Sequence, residues 1–348
     1  MTVKAVVLSI LLCFVGAGLG VGAEGSCPEP SDILPCTCNN GSLGLVMDCS
    51  GVKDEPELAQ VFAIDLPSTN FYELLISHDP VNPDYQLQSL KATTLGEATF
   101  ERVAISGTQI VTIAGYALDK SKSTLKVLSL DGNRINSFPF EALPRYTKLT
   151  RLLLANNNLE ILPQIISETL ESLDVQGNTM VVESKAFERS PSLLSIDLSR
   201  TGQQSLQPGL FTPLANLQEL DLSDNEITEL EEAAIVTAAS SMLFLDLSRN
   251  DITFVRHDSI VGLSPGGFLL MNNNGITELT KESWQRIFEQ LQPDGYISLA
   301  ENPLVCGCEM KWLVQNETYL NLLTDTTKCA TGEMIIFLDP NMFDVLCP

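Results

Sequence analysis

Histidine is nearly absent from this chain of 348 residues, which contains only His78 and His257. The two lie far apart in the sequence, and no glycine-rich loop of the phosphate-binding kind accompanies them. An enzyme site needs a nucleophile, an acid–base pair or a set of metal ligands held together. The scarcity of these residues therefore predicts a protein that has no catalytic activity, no cofactor and no metal site.

Positive charge is also scarce. The chain has 20 lysine and arginine residues against 44 aspartate and glutamate residues, which gives a formal net charge of −24. Nucleic acids and anionic membrane surfaces repel a protein of this charge, so we exclude both as partners. The solubility of an extracellular protein is the simplest explanation of the charge, ahead of a dedicated store of cations.

Long apolar runs are limited to the start of the chain. Lys4 is followed by an apolar run from Ala5 to Leu19 and then by the small residues Val21-Gly22-Ala23. This order is typical of a secretory signal peptide, whereas a membrane anchor needs roughly 20 apolar residues. We expect residues 1–23 to be a signal peptide, with no membrane span after it, and the protein to be secreted and extracellular.

One leucine spacing, L-x-x-L-x-L-x-x-N-x-[LI], is abundant between Leu125 and Leu304. Its asparagine place falls at Asn133, Asn157, Asn178, Thr201, Asn225, Asn250, Asn274 and Asn302. This is the leucine-rich repeat, in which each unit forms a short strand and the units stack into a parallel sheet with a continuous core. We predict an α/β solenoid, a leucine-rich-repeat horseshoe with a curved parallel β-sheet.

Two weaker units precede Leu125, so that about ten units fill residues 61–304. Asp79 takes the asparagine place of the first weak unit, and Val81 takes the apolar place after it. Thr108 takes the asparagine place of the second. Near the other end, four apolar residues recur at helical spacing between Glu278 and Leu291, which predicts a helix packed on the convex side. They are Trp284, Ile287, Phe288 and Leu291.

Eight cysteines remain when Cys13 of the signal is left out, and they form one group of four at each end of the repeats. The groups are Cys27, Cys36, Cys38 and Cys49, then Cys306, Cys308, Cys329 and Cys347. An even count in a secreted chain indicates disulfides, and solenoid ends need caps. We therefore predict caps at residues 24–60 and 305–348. Zinc is a poor alternative because no histidine lies near either group.

Two glycosylation sequons occur, at Asn40 and Asn316, and both fall in the predicted caps. Glycans at these two residues would leave the faces of the repeats free. The pairing of the cysteines stays open at this point, because four cysteines allow three pairings and the spacing does not choose among them.

Cap spacing and repeats together resemble the extracellular leucine-rich repeats of Slit-like, Toll-like and small proteoglycan proteins. Several short motifs are similar, more specifically, to the crustacean family of secreted proteins named for the non-catalytic subunit of Oplophorus-luciferin 2-monooxygenase. The motifs are Cys27-Pro28, Pro35-Cys36, Asn70-Phe71, Ile76-Ser77, Thr99-Phe100-Glu101-Arg102 and Asn136-Ser137-Phe138-Pro139.

This resemblance implies an accessory role beside a small catalytic luciferase, not an enzyme. Bioluminescence is the process in which the namesake of the family takes part, and the resemblance does not extend that role to this chain. It also implies four disulfides. Their pairings are Cys27–Cys38, Cys36–Cys49, Cys306–Cys329 and Cys308–Cys347.

Side chains alternate along a strand, so the places six, four and two before each asparagine point into the concave face. Four before it stand Asp174, Asp197, Asp221 and Asp246, in four successive units. Neighbouring strands lie ~5 Å apart, and carboxylates at this spacing have raised pKa values or attract a cation or a basic partner. The alternative is that the L-D-L-S pattern, common in leucine-rich repeats, accounts for them without any function.

Six places before the asparagine stand Phe244, Phe268 and Tyr296, again in successive units, with Leu270 beside them. The repeat pattern does not require aromatic residues there. Exposed aromatic side chains often anchor protein interfaces, so we predict a partner-binding site on the concave face. The alternative is that the three rings stack on one another and on the C-terminal cap.

Taken together, these features predict a secreted, non-enzymatic protein-binding scaffold. By the resemblance, it would be the accessory subunit that stabilises a small secreted partner such as a luciferin monooxygenase. The other function we consider is that of a soluble innate-immune pattern-recognition or signalling ligand-binding protein.

Overall fold

Twelve strands form one continuous sheet along residues 25–347, the part of the chain that the computed structural model describes. The expected signal peptide, residues 1–23, lies outside that part. The strands are β1 Thr37–Gly41, β2 Gly44–Asp48, β3 Asn70–Ser77, β4 Thr99–Ser106, β5 Val127–Ser129, β6 Arg151–Leu153, β7 Ser172–Asp174, β8 Ser195–Asp197, β9 Glu219–Asp221, β10 Met242–Asp246, β11 Leu263–Leu270 and β12 Tyr296–Ser298.

The strands lie side by side in chain order. The first two form an antiparallel hairpin, and every later pairing in the sheet is parallel. One strand per repeat, always beside the strand of the preceding repeat, is the arrangement of a leucine-rich-repeat solenoid. The predicted fold is confirmed.

Buried asparagine side chains connect each repeat to the one before it. The amide nitrogen of Asn157 donates to the carbonyl oxygens of Leu130 (2.9 Å) and Leu154 (3.0 Å), and its Oδ1 accepts the N–H of Ile135 (2.9 Å). Similar bonds recur at Asn133, Asn178, Asn225, Asn250, Asn274 and Asn302. These bonds satisfy backbone groups that would otherwise be buried without a partner.

In the eight units from Asn133 to Asn302, the residue before the asparagine place adopts a left-handed conformation. Glycine occupies this place at Gly132 and Gly177, where φ is 66° and 68°, and glycine meets no steric penalty there. Other residue types occupy it in six units, with φ between 52° and 57°: Asn156, Arg200, Asp224, Arg249, Asn273 and Glu301. The sharp turn therefore holds the side chains of Arg200, Asp224 and Arg249 at one end of the strands.

Threonine replaces the asparagine in one unit, where Thr201 has a single side-chain donor. Its hydroxyl donates to the carbonyl oxygen of Leu198 (2.7 Å), and its N–H donates to Oδ1 of Asn225 (3.0 Å). The side chain of Gln203 supplies a further donor and bonds to the carbonyl oxygen of Met180 (2.7 Å). The connection between neighbouring repeats is thereby kept.

The core runs the length of the solenoid between the sheet and the convex returns. Phe100, Phe187 and Phe211 are among its fully buried side chains, and the last two stack with ring centroids 5.9 Å apart. Short strands pair on the convex side. They are Ser89–Leu90 with Thr112–Ile113, Ile161–Leu162 with Val181–Val182, Glu229–Leu230 with Phe254–Val255, and Ile235–Val236 with Ile260–Val261.

Five α-helices occur among the described residues: α1 Glu55–Phe62, α2 Lys281–Leu291, α3 Lys311–Val314, α4 Glu317–Leu320 and α5 Pro340–Leu346. Single 3₁₀ turns or short runs lie at Asp119–Ser121, Phe140–Arg145, Cys308–Met310 and Ile335–Phe337. Helix α2 buries the four apolar residues that predicted it. It begins three residues later than Glu278, because Thr280 is its N-cap.

Both ends of the sheet are closed by disulfide-bonded segments. The bonds join Cys27 to Cys38, Cys36 to Cys49, Cys306 to Cys329 and Cys308 to Cys347, which are the pairings implied by the family resemblance. At the C-terminal end, Ile297 of β12 donates to the carbonyl oxygen of Leu322 (2.7 Å) and accepts from Thr324 (3.0 Å). The last strand therefore has no free edge available for pairing with another chain.

The first weak unit differs from the prediction. Asp79 is exposed rather than buried at the asparagine place, and Val81 is 83% exposed. His78 is buried instead and stacks on Tyr85 with the ring centroids 4.2 Å apart. The prediction for these two places was wrong: the polar side chain buried at this point of the first weak unit is that of His78, and the Asp79 carboxylate only accepts the N–H of Val81 (3.1 Å). In the second weak unit Thr108 is buried at the asparagine place.

Candidate protein-binding groove on the concave face

A groove of about 900 Å³ crosses the concave face of the sheet. It extends from Arg151 on β6 to Asn272, which follows β11. Its walls and floor come from the outward-pointing places of six neighbouring strands, so the stacking of the repeats itself creates the groove. The groove is open to solvent along its length, whereas a small-molecule site usually encloses most of its ligand, so its shape suits a segment of another protein.

The four predicted aspartates stand next to one another in the groove. In the parallel register, Asp174 lies opposite Asp197, Asp197 opposite Asp221, and Asp221 opposite Asp246. We call these four residues the aspartate row. The parallel register continues to Leu153 on one side and to Leu270 on the other.

Each carboxylate of the aspartate row is held by the backbone two residues later. Oδ1 of Asp197 accepts the N–H of Ser199 at 2.9 Å, and Oδ1 of Asp221 accepts the N–H of Ser223 at 2.8 Å. Asp174 and Asp246 make the equivalent bonds. Local backbone bonds of this kind fix the orientation of an aspartate side chain. Within residues 25–347, no lysine or arginine forms an ion pair with any member of the row.

Burial, together with the neighbouring negative charges, raises the pKa of three members of the aspartate row. Burial raises the pKa of Asp197 to about 6, and the negative charge of Asp221 beside it contributes to the increase. Burial also raises the pKa of Asp174 and Asp246. Asp131, further along the same face, has a pKa raised by burial, which the N–H of Ala155 at 2.8 Å partly offsets. The Asp197 carboxyl therefore gains and loses its proton in a mildly acidic range.

Two of the predicted contact residues are nearly closed to solvent. Asp246 is 3% exposed and Leu270 is 8% exposed, although both line the groove. They form part of its floor and offer a partner little contact area. The other predicted contact residues are half-buried, with accessible surface facing the groove or the sheet beyond it.

The three aromatic residues also stand side by side. Phe244 lies opposite Phe268, and Phe268 lies opposite Tyr296. We call these residues the aromatic column. The rings of Phe268 and Tyr296 contact each other, with centroids 5.7 Å apart and planes tilted by 47°. Phe244 lines the groove, whereas the other two lie beyond its lining towards the C-terminal cap.

Several residues outside the predicted contact set also line the groove. Arg200 and Arg249 line the groove, as do Asp224, Arg151 and Glu219. Arg249 binds Asp224 through two nitrogens at 2.5 and 2.6 Å, and Arg200 donates to the side chain of Gln176. Three of the five occupy or adjoin the left-handed turn before the asparagine place. These three, Arg200, Asp224 and Arg249, were missed because only the strand places were considered. Arg151 and Glu219 stand at strand places six before an asparagine but form no repeated pattern there.

No group of three or more histidine, cysteine, aspartate or glutamate residues in the described part of the chain is placed to hold a metal ion. Nor does any helix between residues 25 and 347 have the length and apolar character needed to cross a membrane. His78 is buried beside the N-terminal cap, and His257 lies 3.1 Å from Asp258 at the convex side, so the two histidines do not meet.

The two sequons lie in the caps, away from the groove. Asn40 is exposed at the end of β1. Asn316 is half-buried, and its Oδ1 caps helix α4 by accepting the N–H groups of Thr318 (3.1 Å) and Tyr319 (3.3 Å). A glycan is attached through the amide nitrogen, so the cap bonds do not occupy the atom that glycosylation needs. Glycosylation of both residues stays a prediction.

Sequence comparison places the chain among leucine-rich-repeat proteins. The leucine-rich-repeat family model matches residues 168–227 and 191–240. The chain is 33% identical over 331 residues to the Oplophorus-luciferin 2-monooxygenase non-catalytic subunit of Oplophorus gracilirostris, covering 92% of this chain and 88% of that protein. It is 27% identical over 242 residues to human leucine-rich repeats and immunoglobulin-like domains protein 3, covering 66% of this chain and 20% of that protein.

Solved structures share the fold. A chain in the octameric complex of Latrophilin 3, Unc5D and FLRT2 has a TM-score of 0.66 and 19% identity, and the match covers 87% of this chain and 90% of that chain. A chain in the Toll–Spatzle complex has a TM-score of 0.57 and 18% identity, and the match covers 84% of this chain and 45% of that chain. At these identities the likeness establishes the horseshoe architecture.

Proposed function

Because this chain belongs to the leucine-rich-repeat family that includes the Oplophorus-luciferin 2-monooxygenase non-catalytic subunit, we propose that it is a secreted accessory protein that stabilises a small secreted partner. The coarser role, a non-enzymatic scaffold for protein interaction, follows from the fold and from that relative. A small luciferin monooxygenase is the partner that the relative's name suggests.

The aromatic column beside the groove is the observation that carries the proposal. It places Phe244, Phe268 and Tyr296 in one line across three neighbouring strands, where the repeat pattern requires no aromatic residue. Aromatic side chains lose little conformational entropy on binding and give large contact areas, so they are over-represented among interface hot spots. We assign the partner site to the aromatic column and the adjoining groove.

Secretion is the second part of the proposal. Four disulfides close the caps, and disulfides persist in oxidising compartments outside the cytosol. The apolar start of the chain and the two cap sequons are further support. The test is expression in a eukaryotic cell: we expect the protein in the medium, shortened by about 23 residues as for a cleaved signal and carrying glycans at Asn40 and Asn316. Retention of an uncleaved chain in the cell would rule this part out.

Affinity capture tests the binding role. The tagged protein is incubated with native extract of the source tissue, and retained proteins are identified by mass spectrometry. The wild-type chain should retain one small protein in stoichiometric amount, and the triple variant Phe244→Ala/Phe268→Ala/Tyr296→Ala should lose it. The matched control is Ile161→Ala/Val181→Ala/Phe254→Ala, which removes three exposed apolar side chains from the convex strands and should retain the partner.

Two other results of the affinity capture would argue against the proposal. Equal capture by the aromatic variant and the wild type would remove the partner site from the concave face. Retention of microbial material alone would favour the innate-immune ligand-binding role over the accessory role. If the captured protein is a luciferin monooxygenase, adding the wild-type chain should prolong its activity at elevated temperature, and the aromatic variant should not.

A further inference from the structure

The charges of the groove do not balance. Six carboxylates line it, those of the aspartate row together with Glu219 and Asp224, against the three guanidinium groups of Arg151, Arg200 and Arg249. Arg249 is engaged by Asp224, and Arg200 bonds to the neutral side chain of Gln176. The concave surface therefore keeps an excess of negative charge along the aspartate row.

The middle of the aspartate row has hydrogen-bonding capacity left over. The backbone of the residue two places on occupies Oδ1 of Asp197 and of Asp221, and the Ser199 hydroxyl also bonds to Oδ1 of Asp197 (2.7 Å). Among residues 25–347, no side chain donates to the second oxygen of either carboxylate. Adjacent strands stand ~5 Å apart, so one guanidinium or ammonium group placed between the two could bond to both.

We propose that the occupant of the groove is a basic segment of the partner protein, whose arginine or lysine side chains bind Asp197 and Asp221 while its apolar side chains pack on the aromatic column. This inference rests on the proposed function and names the chemistry of the partner. Phe244 and Asp246 belong to the same strand, β10, so the acidic and the aromatic surfaces meet there.

A metal ion fits this surface less well than a basic side chain. Calcium needs six to eight oxygen ligands at about 2.3–2.6 Å around one point. The carboxylates here stand in a line on successive strands, and each has one oxygen held by its own backbone. Arginine and lysine carry their charge on a long stem and can reach a row of separate acceptors, and both also stack on aromatic faces.

Binding of this kind depends on pH. The aspartate row is faced by Arg151 on β6, by Glu219 on β9, by Arg200, Asp224 and Arg249 at the strand ends, and by Asp131 further along the face. Burial and mutual repulsion raise the pKa of Asp197 to about 6. Protonation on acidification removes the charge that a basic segment recognises, so affinity is high at neutral pH and falls as the pH drops through that range.

A defined probe tests the inference without the natural partner. An eight-residue peptide of alternating arginine and tyrosine is titrated with the purified secreted protein at physiological salt, and fluorescence anisotropy reports binding. A peptide of alternating glutamine and tyrosine is the neutral comparison. We expect the basic peptide to bind at least about tenfold more tightly, because each charge-assisted hydrogen bond is worth about that much or more.

Two variants separate local recognition from net charge. Asp197→Asn/Asp221→Asn keeps the shape of the row and should lose about tenfold or more in affinity for the basic peptide. Glu160→Gln/Glu183→Gln removes the same number of carboxylates from exposed places on the convex side and should bind like the wild type. Wild-type affinity should also fall between about pH 7.5 and pH 5.

The inference is overturned if the asparagine variant binds the basic peptide as tightly as the wild type, if the convex variant loses as much affinity, or if acidification leaves binding unchanged. These failures are distinct from failure of the proposed function. A natural partner that the asparagine variant retains and the aromatic variant loses would keep the accessory role and exclude a basic segment on the aspartate row. If the basic peptide binds the wild type more tightly than the asparagine variant but no stoichiometric partner is captured from extract, the aspartate row binds basic segments and the accessory role is rejected.

Discussion

At the scale of single residues, the Asp197 carboxylate, which helps to make the groove acidic, also weakens the fold at neutral pH. Burial raises the pKa of Asp197 to about 6, from an ordinary value of 3.8. The folded protein therefore binds a proton more tightly at this residue than the unfolded chain does. The resulting stabilisation is complete below about pH 4 and is lost as the pH rises through 6.

Replacing this carboxylate should consequently stabilise the protein. We expect Asp197→Asn to raise the free energy of unfolding at about pH 7.5 by roughly 1–3 kcal/mol, since one pKa unit corresponds to about 1.4 kcal/mol, and to give no gain near pH 4. Urea denaturation at the two pH values measures the difference. The convex replacement Glu183→Gln is the control. Equal destabilisation by Asp197→Asn at both pH values would mean that the carboxylate has a structural role.

The repeat asparagines, in contrast, stabilise the fold, because their polar atoms are buried and all form hydrogen bonds. Asn157→Ala removes two donors and one acceptor that satisfy the backbone of Leu130, Leu154 and Ile135. Leaving buried backbone groups without partners costs about 1–3 kcal/mol each, so we expect a loss of about 3 kcal/mol or more in unfolding free energy. Asn136 is exposed, and Asn136→Ala should change stability by less than about 0.5 kcal/mol.

At the scale of structural elements, the caps determine whether the solenoid can exist as a soluble protein. A solenoid end without a cap exposes core side chains to water. In the C-terminal cap, Trp312 covers the core at the end of the solenoid. Its Nε1 donates to the carbonyl oxygen of Leu279 (2.9 Å), and its ring packs on Phe288 of α2 with the ring centroids 5.5 Å apart. The N-terminal cap is joined directly to the sheet, since β2 pairs with β3.

Loss of either cap should therefore block secretion. Cys36→Ser and Cys308→Ser each break one cap disulfide, and removal of a native disulfide from a small secreted domain typically costs about 2–5 kcal/mol. We expect strongly reduced protein in the culture medium and accumulation inside the cell, measured by immunoblot. Ser42→Ala, which removes only the first sequon, is the control for the effect of a cap glycan. Normal secretion of both cysteine variants would show that the caps are dispensable.

At the scale of the whole molecule, most of the architecture could be predicted from the sequence because every repeat has the same pattern of buried residues. The inward leucines and the buried asparagine of each unit constrain strand, register and turn together. Prediction failed where one unit departs from that pattern. In the first weak unit His78 is buried and stacks on Tyr85, while Asp79 at the asparagine place is exposed. A stack that occurs in one unit only leaves no repeated signal in the sequence.

The candidate site could be predicted only in part. The alternation of side chains between the two faces of the sheet was enough to predict the aspartate row and the aromatic column. It could not show that Asp246 and Leu270 are nearly closed to solvent, because burial on a curved face depends on the size of side chains from neighbouring repeats. It also missed Arg200 and Arg249, which reach the groove from the left-handed turns and not from the strands.

Carboxylate footprinting of the protein with and without its captured partner tests the central claim, that the concave face is the binding surface, most directly. Carbodiimide labelling at neutral pH, read by mass spectrometry, reports the accessibility of each acidic side chain. We predict that the partner protects Asp197, Asp221 and Glu219, while Glu160 and Glu183 on the convex side stay labelled to the same extent. Protection confined to the convex residues, with the aspartate row still fully labelled in the complex, would contradict the account.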